Sequence, residues 1–107
     1  MKDWSDIVTA LEGFEWDEGN IRKNWERHHV SHIECEEIFF NSPIIARRDM
    51  PHSIGEDRYF VLGRTDSGRF LFVVFTVRGP KIRVISARDM NRKERRIYEQ
   101  AKEDTKV

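Results

Sequence analysis

Four arginines on or beside strand-like segments, Arg58, Arg64, Arg83 and Arg88, are the groups in this chain best suited to chemistry. A guanidinium stays protonated and presents a planar fork of donors, so several of them set close together bind a phosphate through paired hydrogen bonds. His28 is the candidate for proton transfer, because imidazole ordinarily titrates near neutrality. Arg92, Lys93, Arg95 and Arg96 crowd the opening turns of a predicted helix, where the dipole disfavours cations and an anion is expected nearby. Each arginine taken singly has an ordinary alternative, a surface ion pair, but the set is harder to dismiss. For His28 the alternative is a helix-terminal residue interacting with carbonyls.

Other chemistry is thinner. Glu56 and Glu94 could orient arginines or share a proton transfer, or serve as solvated or capping carboxylates. Phe70, Phe72 and Tyr98 could stack bases, although strand aromatics usually belong to a core. A zinc site from His28, His32, Cys35 and His52 is disfavoured, since the break at Ser31 prevents one continuous helical face; no metal or cofactor is expected. Cys35 reads as a small buried hydrophobe. Neither a nucleotide-binding glycine motif nor a catalytic-triad spacing is present.

Positioning these groups requires a sheet. Phe70 to Val77 and Ile82 to Ala87 are β-branched and aromatic, and Arg78-Gly79-Pro80-Lys81 supplies the turn between them. Pairing Val77 with Ile82 predicts one face bearing Leu71, Val73, Phe75, Val77, Ile82 and Val84, and an opposite face bearing Phe72, Val74, Thr76, Arg83, Ile85 and Ala87. Arg58 to Arg64 forms the preceding strand, joined through Asp66-Ser67-Gly68 with glycine where φ must be positive. In that register Arg58, Thr76 and Arg83 make a row across the sheet, sharing a face with Phe60 and Leu62.

Around this meander the pattern predicts helices. Trp4, Ile7, Val8 and Leu11 give an amphipathic helix over 3–13, followed by a short extended piece at Phe14-Glu15-Trp16. Asp17 caps a helix over 18–28 anchored by Ile21 and Trp25, and Ser31 with Glu34 forms a capping box for a helix over 32–40. In the latter, Ile33, Glu37 and Phe40 lie near one stripe with Cys35, Ile38 and Phe39 beside it. Ile44 to Arg48 is a strand, and 49–57 a polar loop expected to be mobile. Asn91 and Glu94 open a final helix over 92–103 with Ile97, Tyr98 and Ala101 as its buried side. The expected class is α+β: an antiparallel sheet with a meander near 58–88, two to three N-terminal helices and one C-terminal helix.

At 107 residues a single domain over 1–107 is expected. The formal charge of zero hides a division: residues 1–57 hold 6 basic and 13 acidic side chains, net −7, and residues 58–107 hold 13 and 6, net +7. The balance argues against a protein that coats DNA non-specifically, while the basic half can present a local phosphate-binding field. No run approaches the length of a membrane span, and one cysteine fits a reducing compartment, so a cytoplasmic location with no membrane contact is expected.

The segments F-E-W-D at 14–17, N-x-x-R-H-x-V-S at 24–31, G-E-D-R-Y-x-x-L-G-R-T at 55–65, T-x-R-G-x-x-I-R-V-I-S-A-R at 76–88 and N-R-K-E-R-R-x-Y at 91–98 together resemble the BrnT toxin family. The resemblance covers 14–98 and is most specific at I-S-A-R and E-R-R-x-Y; 1–13 would be an N-terminal extension helix. It implies a RelE-like fold and a growth-inhibiting ribonuclease of a type II toxin-antitoxin system, silenced by a BrnA-like antitoxin with a ribbon-helix-helix DNA-binding part. DNA would then be met only through the antitoxin. Where the family usually reads N-x-x-K-H-G-V-S-F, this chain carries Arg27, His29 and His32 in place of the lysine, glycine and phenylalanine.

Metal-free RNA cleavage needs a base for the 2′-OH proton, cations for the charge developing on phosphorus and an acid for the 5′-oxygen. On this reading His28, Arg58, Arg64, Arg83 and Arg88 are catalytic, Lys23, Arg27 and Arg78 bind RNA, and Arg92, Arg95 and Arg96 meet the antitoxin. The rival is a non-catalytic interaction protein that pairs with a DNA-binding antitoxin and tunes its transcriptional autoregulation.

Overall fold

The computed structural model describes residues 12–49 and 55–105. Its elements are β1 (Gly13–Phe14), α1 (Glu18–His28), α2 (His32–Glu37) with a 3-10 turn (Ile38–Phe40), β2 (Ile45–Arg48), β3 (Arg58–Arg64), β4 (Phe70–Arg78), β5 (Lys81–Asp89) and α3 (Arg92–Thr105). The expected helix over 3–13 and most of the 49–57 loop lie outside the described residues. One sheet of order β1-β5-β4-β3-β2 results, antiparallel except where β1 runs parallel to β5.

The apolar face forms as expected. Val61, Leu71, Val73, Phe75, Ile82 and Val84 are buried against Val30, Cys35 and Ile38 from the helical layer. Burying each large aliphatic or aromatic side chain contributes about 1.5–3 kcal/mol, which makes this face the main source of stability. Gly63 admits the layer: a Cβ there would lie 2.9 Å from Ile38 Cβ and 3.1 Å from the Ile38 carbonyl oxygen, so only glycine lets the 3-10 turn settle on β3. Gly68, at φ +90, closes the β3–β4 hairpin as the turn chemistry required.

Four expectations change. Ala87, expected beside Arg83, is buried opposite Val73, because a bulge leaves Ile85 unpaired: Phe75 pairs with Val84 but Val74 with Ser86. In α2 and its 3-10 extension the buried stripe is Cys35 and Ile38, while Ile33 and Phe40 are exposed. Trp25 does not anchor α1 and is 52% exposed. The anchor is polar: Asn20 Nδ2 donates to the Val84 carbonyl at 2.8 Å, and buried Asn24 accepts from the Ala87 N–H at 3.2 Å. α1 therefore caps the outer edge of β5 beyond the end of β1 and satisfies backbone groups that an edge strand would leave open. Finally, Ile97 is 46% exposed, so α3 docks mainly through Tyr98, which is fully buried and donates to the Pro43 carbonyl at 2.8 Å.

Candidate nucleic-acid interface

The sheet face opposite the helical core carries the arginines in ordered rows. Arg58 pairs across β3 and β4 with Thr76, and Thr76 across β4 and β5 with Arg83. Thr76 is buried between them and donates to the Asp57 carbonyl at 2.7 Å. Towards the hairpin tip Arg78 stands opposite Lys81; in the other direction Leu62, Phe72 and Arg88 form a line across the same three strands. α3 covers the far end of this face, packing Tyr98 and Met90 against Leu62 with Phe70 and Phe72 alongside. The Arg58–Arg83 end carries no described helix over it and is flanked by the start of α1.

The bulge at Ile85 decides where Arg88 points. Strict alternation would have put it opposite Leu71 on the core side; instead it faces Phe72, with its guanidinium carbon 4.1 Å from the ring centroid. Glu94 holds both terminal nitrogens at 2.8 and 2.9 Å, and the same carboxylate accepts the Asn91 N–H that caps α3. The Arg88 guanidinium beside Glu94 holds that carboxyl below the usual carboxylate range against the opposing effect of burial. The I-S-A-R and E-R-R-x-Y segments are thus one assembly of bulge, stacked arginine, bidentate ion pair and buried tyrosine.

Carboxylates are mixed into the row. Asp17, the α1 N-cap, lies 2.6 Å from Arg83, and Glu15 lies 3.3 Å from Arg83 and 3.7 Å from Arg78, with Glu56 3.5 Å from Arg78. The hydrogen bond from Arg83 lowers the Asp17 carboxyl from its ordinary range and raises the arginine in turn. Asp17 and Glu15 are 53% and 39% exposed, so these pairs are solvent-screened and can exchange for a phosphate at small cost.

The remaining expected site residues lie elsewhere. Arg64 is six residues from Arg58 on β3, about 20 Å of strand. It sits near the α3 end, donating to the Ser42 carbonyl at 2.9 Å. His28 is exposed at the C-terminus of α1, where its carbonyl accepts from Arg69. Arg69 also binds Asp89, Glu34 and the His29 carbonyl, a cluster at the opposite end of β5 from Arg83. The structure does not bring His28 to the arginine row. Lys23 and Arg27 lie on α1 beyond the β5 edge, and Arg92, Arg95 and Arg96 line a shallow surface with Met90 and Glu99. Arg95 also lies 5.0 Å over the Phe70 ring.

A family model described as the ribonuclease toxin BrnT of type II toxin-antitoxin systems matches residues 16–94. The chain belongs to the BrnT family. The match lies within the 14–98 span that its motifs suggest. A crystal structure of the Brucella abortus ribonuclease toxin BrnT superposes with a TM-score of 0.57 at 20% identity, covering 77% of this chain and all of that one. That likeness supports the α+β fold. No curated protein sequence matches the chain.

Within the BrnT frame the departures have local explanations. His29, at the family's glycine position, adopts φ +53 as the left-handed residue ending α1 and stacks edge-on with Trp25 at 5.3 Å. His32, at the phenylalanine position, keeps an aromatic contact with Trp16 at 5.8 Å. Burial pushes the Cys35 thiol up to about 12, as expected of an inert core sulfur. Among the described residues no three histidine, cysteine or acidic side chains converge as metal ligands, and no helix is long and apolar enough to cross a membrane.

The sequence places Phe60 on this face but not Arg47, Glu15 and Asp17. The signal for Arg47 was present in strand parity, since Arg47 pairs with Phe60. Glu15 and Asp17 reach the face only because β1 adds to the β5 edge, a pairing between segments nearly 70 residues apart.

Proposed function

We propose that this BrnT-family toxin cleaves RNA without a metal ion on the arginine face, and that a BrnA-like antitoxin with a ribbon-helix-helix part silences it in the cytoplasm. The observation that carries the reading is the shared face: Arg58 and Arg83 flank Thr76, and the bulge turns Arg88 onto the same side. Arg58 and Arg83 hold the non-bridging oxygens of one phosphate. The 2′-oxygen bonds to phosphorus as the bond to the 5′-oxygen breaks, leaving a 2′,3′-cyclic phosphate and a 5′-hydroxyl. Glu15, which touches both Arg83 and Arg78, takes the 2′-OH proton, and solvent returns one to the leaving 5′-oxygen; His28 is at the other end of β5. Arg88 and Arg64, held by Glu94 and Ser42, shape the far side of the site. Lys23, Arg27 and Arg78 border the path of the RNA backbone, and Arg92, Arg95 and Arg96 meet an acidic segment of the antitoxin.

The test is cleavage of single-stranded RNA by the purified chain in EDTA. Cyclic-phosphate ends are expected, with Arg58→Ala and Arg83→Ala each reducing the rate by about 100-fold or more at unchanged circular dichroism. Loss of activity in EDTA that zinc or magnesium restores would reverse the metal-free assignment. Full folding with no cleavage under any condition would favour a non-catalytic partner of a DNA-binding antitoxin.

A further inference from the structure

Beyond the arginine row the same face runs into a groove of about 490 Å³ between the sheet and the first turns of α3, whose lining includes Arg47, Phe60, Phe72, Lys93, Glu94 and Ile97. Its floor is layered. The Phe60 and Phe72 rings stack at 5.6 Å with 23° between their planes, and the Arg88 guanidinium lies 4.1 Å from the Phe72 centroid. Arg88 is fixed there by its two bonds to Glu94, so the one carboxylate among the described lining residues is already neutralised. The α3 wall offers Ile97, 46% exposed where an amphipathic helix would ordinarily bury it. Exposed Arg47 and Lys93 add two cations to this lining.

We infer that this groove is a nucleobase subsite for single-stranded RNA: one base stacks on Phe60 against Ile97, and its flanking phosphates meet Arg47 and Lys93. The inference rests on the arginine face being the RNA-binding face, and adds what holds the bases. Phe60 is two residues from Arg58 on β3, about 7 Å of strand, so a phosphate on the arginine row has its neighbouring base within reach of the Phe60 ring. Only an unpaired strand can splay a base into such a slot; a duplex keeps its bases stacked inside. A protein side chain would fill the apolar floor equally well. The cations along the slot, continuous with the Arg58–Arg83 row, suit instead a polymer that carries a negative charge at every unit.

The test uses two fluorescent heptamers of equal charge, 2′-O-methyl heptauridylate and the matching abasic 2′-O-methyl ribose phosphate, neither of which offers a 2′-OH for cleavage. Fluorescence anisotropy with the full chain is expected to show the uridylate bound about tenfold or more tighter than the abasic strand. Phe60→Ala is expected to bring the two within about twofold, while Arg83→Ala weakens both alike. Ile97→Ser, at an exposed position of α3, gives the same reading if Phe60→Ala does not fold. Equal binding of the two strands by the wild-type chain, with Arg83→Ala weakening both, overturns the base subsite, leaves the RNA face standing and assigns the groove to an apolar side chain of a protein partner. Failure of the wild-type chain to bind either strand removes both readings.

Discussion

Phe72 and Arg88 face each other across β4 and β5, with the guanidinium carbon 4.1 Å from the ring centroid, although unbroken alternation from the hairpin turn would put them on opposite sides of the sheet. One unpaired residue, Ile85, produces the change, and Glu94 then fixes the arginine with two hydrogen bonds. Lysine can provide neither the planar stack nor the fork. Arg88→Lys is expected to lower stability by about 1 kcal/mol in urea denaturation, and adding Glu94→Gln should cost little more, since both substitutions act on one pair. Fully additive losses would mean that the pair is not the source.

His29 ends α1 at φ +53, a conformation that favours glycine. His29→Gly removes a Cβ penalty of about 1–2 kcal/mol but adds freedom to the unfolded chain and loses the ring contact with Trp25. A net gain of up to about 1 kcal/mol is expected, read as a higher urea midpoint at unchanged m-value. A lower midpoint would show that the Trp25 contact outweighs the backbone strain.

Gly63 is the opposite case, because its restriction is space and not φ. A methyl group there would meet Ile38 Cβ at 2.9 Å in a packed layer. Gly63→Ala is therefore expected to cost about 1–3 kcal/mol. Ile38→Ala in the same chain should recover part of the loss due to the clash, and a double-mutant cycle measures the recovery.

The acid limb of stability should report two ion pairs. The hydrogen bond from Arg88 lowers the folded-state Glu94 carboxyl, and that from Arg69 lowers Asp89. A depressed carboxyl contributes stability that is fully present above its unfolded value, in the ordinary carboxylate range, and is lost as pH falls through the lower folded value. Stability should thus be level near neutrality and decline below about pH 4.5. Glu94→Gln should flatten part of that decline; a parallel decline in the variant would exclude Glu94 as a contributor.

Arg92, Arg95 and Arg96 stand exposed at the start of α3. Carboxylates of an antitoxin docking there would relieve repulsion among these cations and steer the encounter electrostatically. Arg95→Glu with Arg96→Glu is expected to slow association of the toxin with its antitoxin by about tenfold or more at low salt and much less at high salt. An unchanged rate at low ionic strength would move the docking site to the acidic helices between Asp17 and Phe40.

Local chemistry was sufficient for the elements, the two hairpins, the capping boxes at Ser31 and Asn91, and the row of Arg58, Thr76 and Arg83, because turn type and period-two alternation act over a few residues. The family, too, was legible in the order and spacing of its motifs. Tertiary structure alone decided the bulge at Ile85, which swaps Ala87 into the core and Arg88 out of it. It decided that α1 binds the β5 edge through Asn20 and Asn24 and leaves Trp25 exposed, with His28 at the Arg69 end of β5 and not at the Arg58–Arg83 row. It also brought Glu15 and Asp17 to Arg83 across more than 60 residues. A bulge is one residue with no distinctive side chain of its own, and an edge pairing depends on backbone groups that every residue shares. Neither leaves a periodic trace in the sequence, and both are fixed only when the strands compete for hydrogen bonds and buried area in the assembled sheet.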